Sequence, residues 1–118
     1  MSRSALKMKL VNLEEGLPTV EQARTLLFRE LQQARRNGIE ALKLVHGYGS
    51  KGVGGAIRVA IQGSLAARVR EGQLRAFIAG EDFRISDETT WALLRKYPEL
   101  KQDRDLGRGN KGISIVLL

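Results

Sequence analysis

The chain has 118 residues, which fits one domain with a single hydrophobic core, and its lack of cysteine and single histidine exclude disulfides, thiolate metal centres and histidine-rich zinc sites. No apolar run approaches the roughly 20 residues that span a bilayer, and the N-terminal residues lack a signal-peptide core, so we expect a cytoplasmic protein with no membrane partner. The formal net charge of +7 favours a polyanionic partner, most simply nucleic acid, over a positive charge that serves only solubility.

The N-terminal part of the chain predicts a strand followed by a helix. Residues 7–13, KMKLVNL, alternate polar and apolar side chains, a pattern typical of strands. Thr19 and Gln22 have the spacing of a capping box, and the apolar residues that follow recur at helical spacing, which predicts an amphipathic helix over residues 20–36. Asn37-Gly38 has the composition of a left-handed helix end.

The central part predicts a second strand, a glycine-rich loop, a second helix and a third strand. Residues 40–45, EALKLV, predict a short buried strand. The loop extends from His46 to Gly55. The helix after it ends at Glu71-Gly72, and residues 74–79, LRAFIA, predict the third strand. The apolar positions of this helix, four residues apart, are Ile57, Ile61, Leu65 and Val69.

The C-terminal part combines an acidic insertion with a final strand. Residues 80–105 carry seven acidic against five basic side chains, whereas residues 1–79 carry 13 basic against six acidic. Because its charge disfavours nucleic acid, we expect the insertion to pack at an edge of the sheet, as a helix over residues 87–96 that Ser86 caps. Residues 112–118, GISIVLL, are apolar without alternation, as in a strand covered on both faces. The helix has an aromatic face, expected to pack on the core, formed by Trp91, Leu94 and Tyr97.

The order of these elements predicts the fold class. It is α/β, a two-layer sandwich with a four-stranded mixed sheet and the order β-α-β-α-β-(helical insertion)-β. Residues 1–118 are expected to form a single domain, with the inserted helical segment at residues 80–105.

The glycine-rich loop is the strongest indication of function. Glycine is costly in ordered structure, so the five glycines of the loop indicate close approach of the backbone to a partner, the alternative being a flexible connection without a ligand. A loop that leads into a helix presents backbone N–H groups to an anion, and Lys51 and Arg58 add positive charge. Gly47, Gly49 and Gly52 also satisfy the dinucleotide-binding fingerprint, but four strands are too few for the six-stranded fold that carries it.

Three segments of the chain together resemble the Smr (small MutS-related) domain. LVHGYGSKGVGGAIRVAI resembles the His-Gly-x-Gly-x-Gly loop of that family and the helix after it. VNLEEGLPTVEQARTLLFRELQQARRNGIEALKLVHG resembles its first strand, first helix and second strand, and LGRGNKGISIVLL its turn into the last strand. The resemblance covers roughly residues 8–79 and 106–118, and it implies the fold of the C-terminal domain of bacterial translation initiation factor three.

The resemblance also implies a function. Smr domains that have been studied bind branched or structured DNA or RNA, and several are endonucleases that nick DNA or cut RNA. Nucleic acid is therefore the implied partner, and no cofactor is implied except Mg²⁺ or Mn²⁺ in the case of a nuclease. By resemblance, the positions near the nucleic acid are His46, Gly47, Gly49, Ser50, Lys51, Gly52 and Arg58.

The chain departs from the family at Leu-Asp-x-His, a signature tied to nuclease activity at the end of the first strand. The corresponding residues here are Val11-Asn12-Leu13-Glu14. Asn12 is not a general base and is a poor metal ligand, whereas Glu14 or Glu15 can fill either role or be solvated turn residues. Two hypotheses follow: a nucleic-acid-binding module without cleavage, and a structure-dependent endonuclease that uses His46 with Glu14 or Glu15.

Overall fold

The computed structural model of the chain describes residues 6–16, 18–48 and 53–118. The predicted α/β class and four-stranded mixed sheet are confirmed. In the part of the chain that is described, no helix has the length and apolar character needed to cross a membrane. The elements follow the order β1 (Met8–Asn12), α1 (Val20–Arg36), β2 (Ala41–Val45), α2 (Val53–Arg70), β3 (Ala76–Ala79), a 3₁₀ helix (Gly80–Asp82), α3 (Glu88–Lys96), a second 3₁₀ helix (Pro98–Gln102) and β4 (Ile113–Leu117).

The strand order places the ends of several strands together. The sheet has the order β1-β2-β4-β3, in which β1 is parallel to β2 and β4 is antiparallel to both of its neighbours. The carboxyl ends of β1, β2 and β3 therefore meet the beginning of β4. We call this the loop end of the sheet, and its last paired strand residues are Asn12, Val45, Ala79 and Ile113.

Local sequence signals determine the two ends of α1. The Thr19 side chain accepts a hydrogen bond from Gln22 N at 3.1 Å, and the Gln22 side chain accepts one from Thr19 N at 2.9 Å. The predicted capping box is thus confirmed. At the other end, Asn37 is the C-cap and Gly38 has a φ of +69°, as expected of a left-handed helix end.

The helices α1 and α2 cover one face of the sheet. Their buried side chains pack against Leu42, Leu44 and Val116 of the two central strands. α2 begins at Val53, inside the segment predicted as loop, so the loop is shorter than predicted. The helical side chains of this core are Ala23, Leu27, Leu31, Ala34, Ile57, Ile61 and Leu65, with Val69 partly buried beside them.

The insertion covers the opposite face of the sheet. Phe83, Leu93 and Leu94 pack in one cluster with Ile113 and Ile115 of β4. The prediction that the insertion would pack at an edge of the sheet is wrong, because both faces of β4 are apolar and the second face needs a cover. The related prediction, that β4 is buried on both sides, is confirmed by its burial.

Lys43 of β2 holds the end of the insertion on the sheet. Its Nζ lies 2.9 Å from Asp103 Oδ1 and 2.5 Å from Asp105 Oδ2, with side chains only 10% to 12% exposed. Burial alone would lower the pKa of Lys43, but the hydrogen bonds to Asp105 and Asp103 outweigh it and raise the pKa above its usual value. Part of the acidic charge of the insertion is therefore neutralised within the fold.

Two details of α3 differ from the prediction. The N-cap is Asp87 and not Ser86, because the Asp87 carboxylate accepts the backbone N–H of Thr90 at 3.0 Å. The predicted aromatic face is only partly buried: Tyr97 lies in the core, whereas Trp91 is 44% exposed.

Candidate nucleic-acid interface

The loop end brings together four of the site residues predicted from the sequence. Glu14 follows β1, His46 and Gly47 follow β2, and Arg58 reaches the same region from α2. The Glu14 carboxylate lies against Gly47, next to His46, and Arg58 forms an ion pair with Glu81. All three charged side chains influence the pKa of His46. Residues distant in sequence thus form one cluster, because parallel strands place their carboxyl ends at the same end of the sheet.

His46 is the buried centre of this cluster. Its imidazole is fully buried, with Nδ1 2.7 Å from the Gly47 carbonyl oxygen and Nε2 2.9 Å from Ser114 Oγ. A carbonyl oxygen can only accept, so Nδ1 carries the hydrogen and Nε2 accepts the Ser114 hydroxyl. The Ser114 oxygen accepts in turn from Gln62 Nε2 at 3.4 Å. Three side chains therefore form a continuous hydrogen-bond chain that ends on the Gly47 carbonyl.

This environment favours the neutral form of the imidazole. Burial lowers the pKa of His46; the hydrogen bond to Gly47 opposes that shift and Arg58 reinforces it, while Glu14 and Glu81 act to raise the pKa. With both ring nitrogens hydrogen-bonded inside the protein, neither is available to a phosphate or to a reacting water in this arrangement. His46 therefore acts as a positioning residue, because its hydrogen bond holds the backbone at Gly47 in place.

Gly47 occupies a position that requires glycine. Its φ is +73°, a conformation that favours glycine. The Gly47 N–H donates to the Gly112 carbonyl oxygen at 3.1 Å, and the His46 N–H donates to the same oxygen at 3.0 Å. A Cβ at Gly47 would overlap a carboxylate oxygen of Glu14. The close approach that the glycine indicated is therefore made, at this position, by a side chain of the protein itself.

Asn12 and Glu14 have different parts at the end of β1. Asn12 Oδ1 accepts hydrogen bonds from Glu14 N at 2.9 Å and Glu15 N at 3.1 Å, which closes the turn after the strand. Asn12 is thus a turn residue with its acceptor occupied. Glu14 is exposed and its carboxylate lies against Gly47, so it is the acidic side chain that the turn delivers to the cluster.

Arg58 is paired with an acidic residue. Its Nη2 forms an ion pair with Glu81 Oε2, and the two side chains are 25% and 32% exposed. In the described part of the chain, the buried Arg58 Nε and Glu81 Oε1 have no hydrogen-bond partner. A phosphate at Arg58 would therefore compete with Glu81 for the guanidinium.

The remaining predicted positions belong to the glycine loop itself. Gly49, Ser50, Lys51 and Gly52 lie outside the described residues, between Tyr48 and the beginning of α2. Their contact with nucleic acid stays a prediction.

Sequence reasoning missed two features of the loop end. Tyr48 is 55% exposed two residues after the buried His46, and Arg108 and Lys111 are exposed on the turn that precedes β4. The signals were present: an aromatic residue among glycines, and two cations within LGRGNKG that face no acidic residue in the same segment. Their proximity was not visible, because it depends on the antiparallel pairing of β2 with β4.

Comparison with known proteins identifies the family. A family model of the Smr domain matches residues 15–82, more than half of the chain. The chain belongs to the Smr domain family. Members of this family are in general nucleic-acid-binding or nuclease modules.

The Smr fold extends beyond the matched segment. The structure is similar to the crystal structure of the Smr domain of Thermus thermophilus MutS2, with a TM-score of 0.56 and 26% sequence identity over 93% of this chain and 96% of that one. The family-model match begins after Asn12 and Glu14 and ends before most of the insertion. No curated protein matches the chain significantly.

The described residues of this Smr domain form no ready-made site for the divalent metal that a nuclease would use. In residues 6–16, 18–48 and 53–118, no group of three or more His, Asp and Glu side chains is arranged to hold a metal ion. Asn12 and His46 have their ligand atoms occupied by protein hydrogen bonds, and Glu81 is paired with Arg58. Beyond these residues, the described turn after β1 offers the exposed carboxylates of Glu14 and Glu15, which by themselves form no all-protein site for Mg²⁺ or Mn²⁺.

Proposed function

We propose that this Smr domain binds the backbone of branched or structured DNA or RNA at the loop end of the sheet and does not cleave it. Membership of the Smr family supports nucleic acid as the partner. The observation that favours binding over cleavage is the hydrogen bonding of His46, since both ring nitrogens have partners within the protein. Asn12 replaces the aspartate of the family signature, and its amide cannot act as a general base.

The cations of the loop end supply the binding energy in this proposal. Arg108 and Lys111 are exposed beside Tyr48, and among the described residues neither of these cations forms an ion pair. Arg58 and the loop residue Lys51 complete the set. Backbone N–H groups at the beginning of α2 add donors that suit phosphate oxygens. Such a surface recognises backbone geometry and charge, and it reads no base sequence.

The salt dependence of binding tests this proposal. Binding of a labelled four-way junction, a duplex and an RNA stem-loop is measured by fluorescence anisotropy between about 50 and 200 mM salt, where log–log slopes approach −0.9 per phosphate contact on duplex. Replacing Arg108 and Lys111 together by Gln should weaken all three ligands alike and make the slope shallower by about two. The matched control is the double Gln variant of Arg95 and Lys101, exposed on the insertion, which should change neither quantity. An affinity that is indifferent to salt would contradict the proposal.

A second candidate function is cleavage with Glu14 as the general base. The observation in its favour is the position of this exposed carboxylate, which lies against Gly47 at the loop end. The same ligands are incubated with Mg²⁺, with Mn²⁺ and with a chelator, and the products are separated on denaturing gels. Products that disappear in the Glu14→Gln variant would establish this function in place of binding alone. We expect no products.

A further inference from the structure

We infer that Tyr48 is a stacking platform for one unpaired nucleobase, so that this Smr domain selects nucleic acids that carry an unpaired nucleotide. The inference rests on the proposed nucleic-acid-binding function and adds a ligand specificity to it. A backbone-directed surface alone would not distinguish paired from unpaired nucleotides of equal charge.

The backbone that carries Tyr48 is fixed. The two preceding residues, His46 and Gly47, both donate their N–H groups to the Gly112 carbonyl oxygen, and the His46 side chain is fully buried. A Cβ built on Gly112 would lie 3.5 Å from Tyr48 Cδ1, so one edge of the ring contacts the turn before β4. The residue is 55% exposed, so a large part of it is open to solvent. A fixed and exposed aromatic ring costs little entropy when a partner stacks on it.

The turn beside the ring is also held in place. Asn110 Oδ1 accepts the Gly112 N–H at 2.9 Å, and Asn110 Nδ2 donates to Asp105 Oδ1 at 3.0 Å. Asp105 is 7% exposed and pairs with Lys43 of β2 at 2.5 Å, which offsets part of the negative charge of this side chain beside the ring. The position of the turn relative to the ring is therefore fixed by bonds to the sheet.

A groove forms between the ring and this turn. It is open to solvent and has a volume of about 560 Å³. An aromatic wall with two cations matches a nucleotide, because a base stacks on an aromatic ring while its phosphates contact Arg or Lys. A base inside a duplex has both faces covered and cannot stack on a side chain, so the groove fits an unpaired nucleotide. The groove is lined by Tyr48, Asp105, Arg108, Gly109, Asn110 and Lys111.

The test uses two ligands that differ only in one base. A duplex with a single-nucleotide bulge is compared with the same duplex that carries an abasic nucleotide at the bulge, so that charge and shape are matched. The wild-type domain should bind the bulge with the base about tenfold more tightly, within the range measured for base–aromatic stacking. Tyr48→Leu should lose this preference and keep its affinity for the abasic bulge, whereas Tyr48→Phe and Tyr48→Trp should keep the preference.

A second readout detects the stack itself. The fluorescence of 2-aminopurine at the bulge should be quenched by the wild-type domain and not by Tyr48→Leu. Trp91→Leu is the matched control, since Trp91 is also an exposed aromatic residue but lies on α3, and it should behave as wild type. Thermal melts confirm that the variants are folded.

The outcomes separate this inference from the proposed function. Equal binding of the two bulges by the wild-type domain, or a base preference that survives in Tyr48→Leu, would overturn the stacking role and leave the backbone-binding function standing. Binding of neither ligand would overturn the proposed function itself, and the stacking role with it.

Discussion

The hydrogen-bond chain through His46 predicts a specific loss of stability in the Ser114→Ala variant. The substitution removes the hydroxyl that donates to His46 Nε2 at 2.9 Å and leaves this acceptor buried, because the imidazole is 0% exposed. An unsatisfied buried polar group costs roughly 1–3 kcal/mol. Taking about 2 kcal/mol, and about 4 °C of Tm per kcal/mol for a domain of this size, we expect a Tm lower by about 8 °C.

The assay is urea or thermal unfolding followed by circular dichroism. Ser86→Ala is the matched control, since Ser86 is exposed, and it should change the free energy of unfolding by less than about 0.5 kcal/mol. The reasoning would be refuted if Ser114→Ala were as stable as Ser86→Ala. It would also be refuted if nitrogen NMR of the wild-type imidazole showed the hydrogen on Nε2 in place of Nδ1.

The same hydrogen-bond chain predicts the sign of a pH effect. The pKa of His46 is lowered by burial, so the folded protein takes up this proton less readily than the unfolded chain, whose histidine titrates near about 6.5. The stabilising contribution of neutral His46 should be fully present above that pH and should be lost as the pH falls through the lower, folded pKa. Unfolding free energies measured across this range check the direction.

Two further substitutions test ion pairs. Glu81→Gln frees the Arg58 guanidinium, so nucleic acid should bind about two- to fivefold more tightly in anisotropy titrations. Glu71→Gln is the control, and an affinity gain no larger than that of this control would show that Arg58 does not contact phosphate. Lys43→Met removes the cation from two nearly buried carboxylates and should lower the free energy of unfolding by about 3 kcal/mol. Burial would raise the pKa of Asp105, but the hydrogen bonds from Asn110 and Lys43 hold it below its usual value. The stability difference between the wild-type domain and Lys43→Met should therefore shrink as the pH falls through that lowered pKa.

Local patterns predicted those parts of the fold that local interactions determine. Thr19 and Gln22 could be identified as a capping box because both partners lie within one helical turn. The continuous apolar run of β4 predicted a doubly covered strand for a similar reason, since it depends only on the residues of the strand. The sequence did not reveal what covers the second face of β4, and the insertion was therefore predicted at an edge of the sheet. The charged Lys43 within the apolar strand β2 was a signal that an acidic segment packs on that face.

The site was harder to predict because its bonds span the chain. His46 was assigned to the glycine-rich loop and to nucleic acid contact, yet its Nε2 accepts a hydrogen bond from the hydroxyl of Ser114, 68 residues away. The carboxylate that leaves no room for a Cβ at Gly47 belongs to Glu14, in the turn after β1, and the acid that pairs with Arg58 follows β3. None of these partners lies close in sequence to the residue it contacts, so local sequence patterns cannot reveal them. The strand directions bring all of them to the loop end of the sheet.

An amide chemical-shift map of the nitrogen-15-labelled domain, titrated with a DNA or RNA junction, tests the central claim most directly. We expect the shifted amides to cluster at the loop end, at Gly47, Tyr48, residues 108–112 and the beginning of α2, with α3 and its neighbouring residues unchanged. The same titration reports cleavage, because a cut junction would change the ligand spectrum with time. Shifts centred on α3, or a junction that leaves every amide unchanged, would contradict the account.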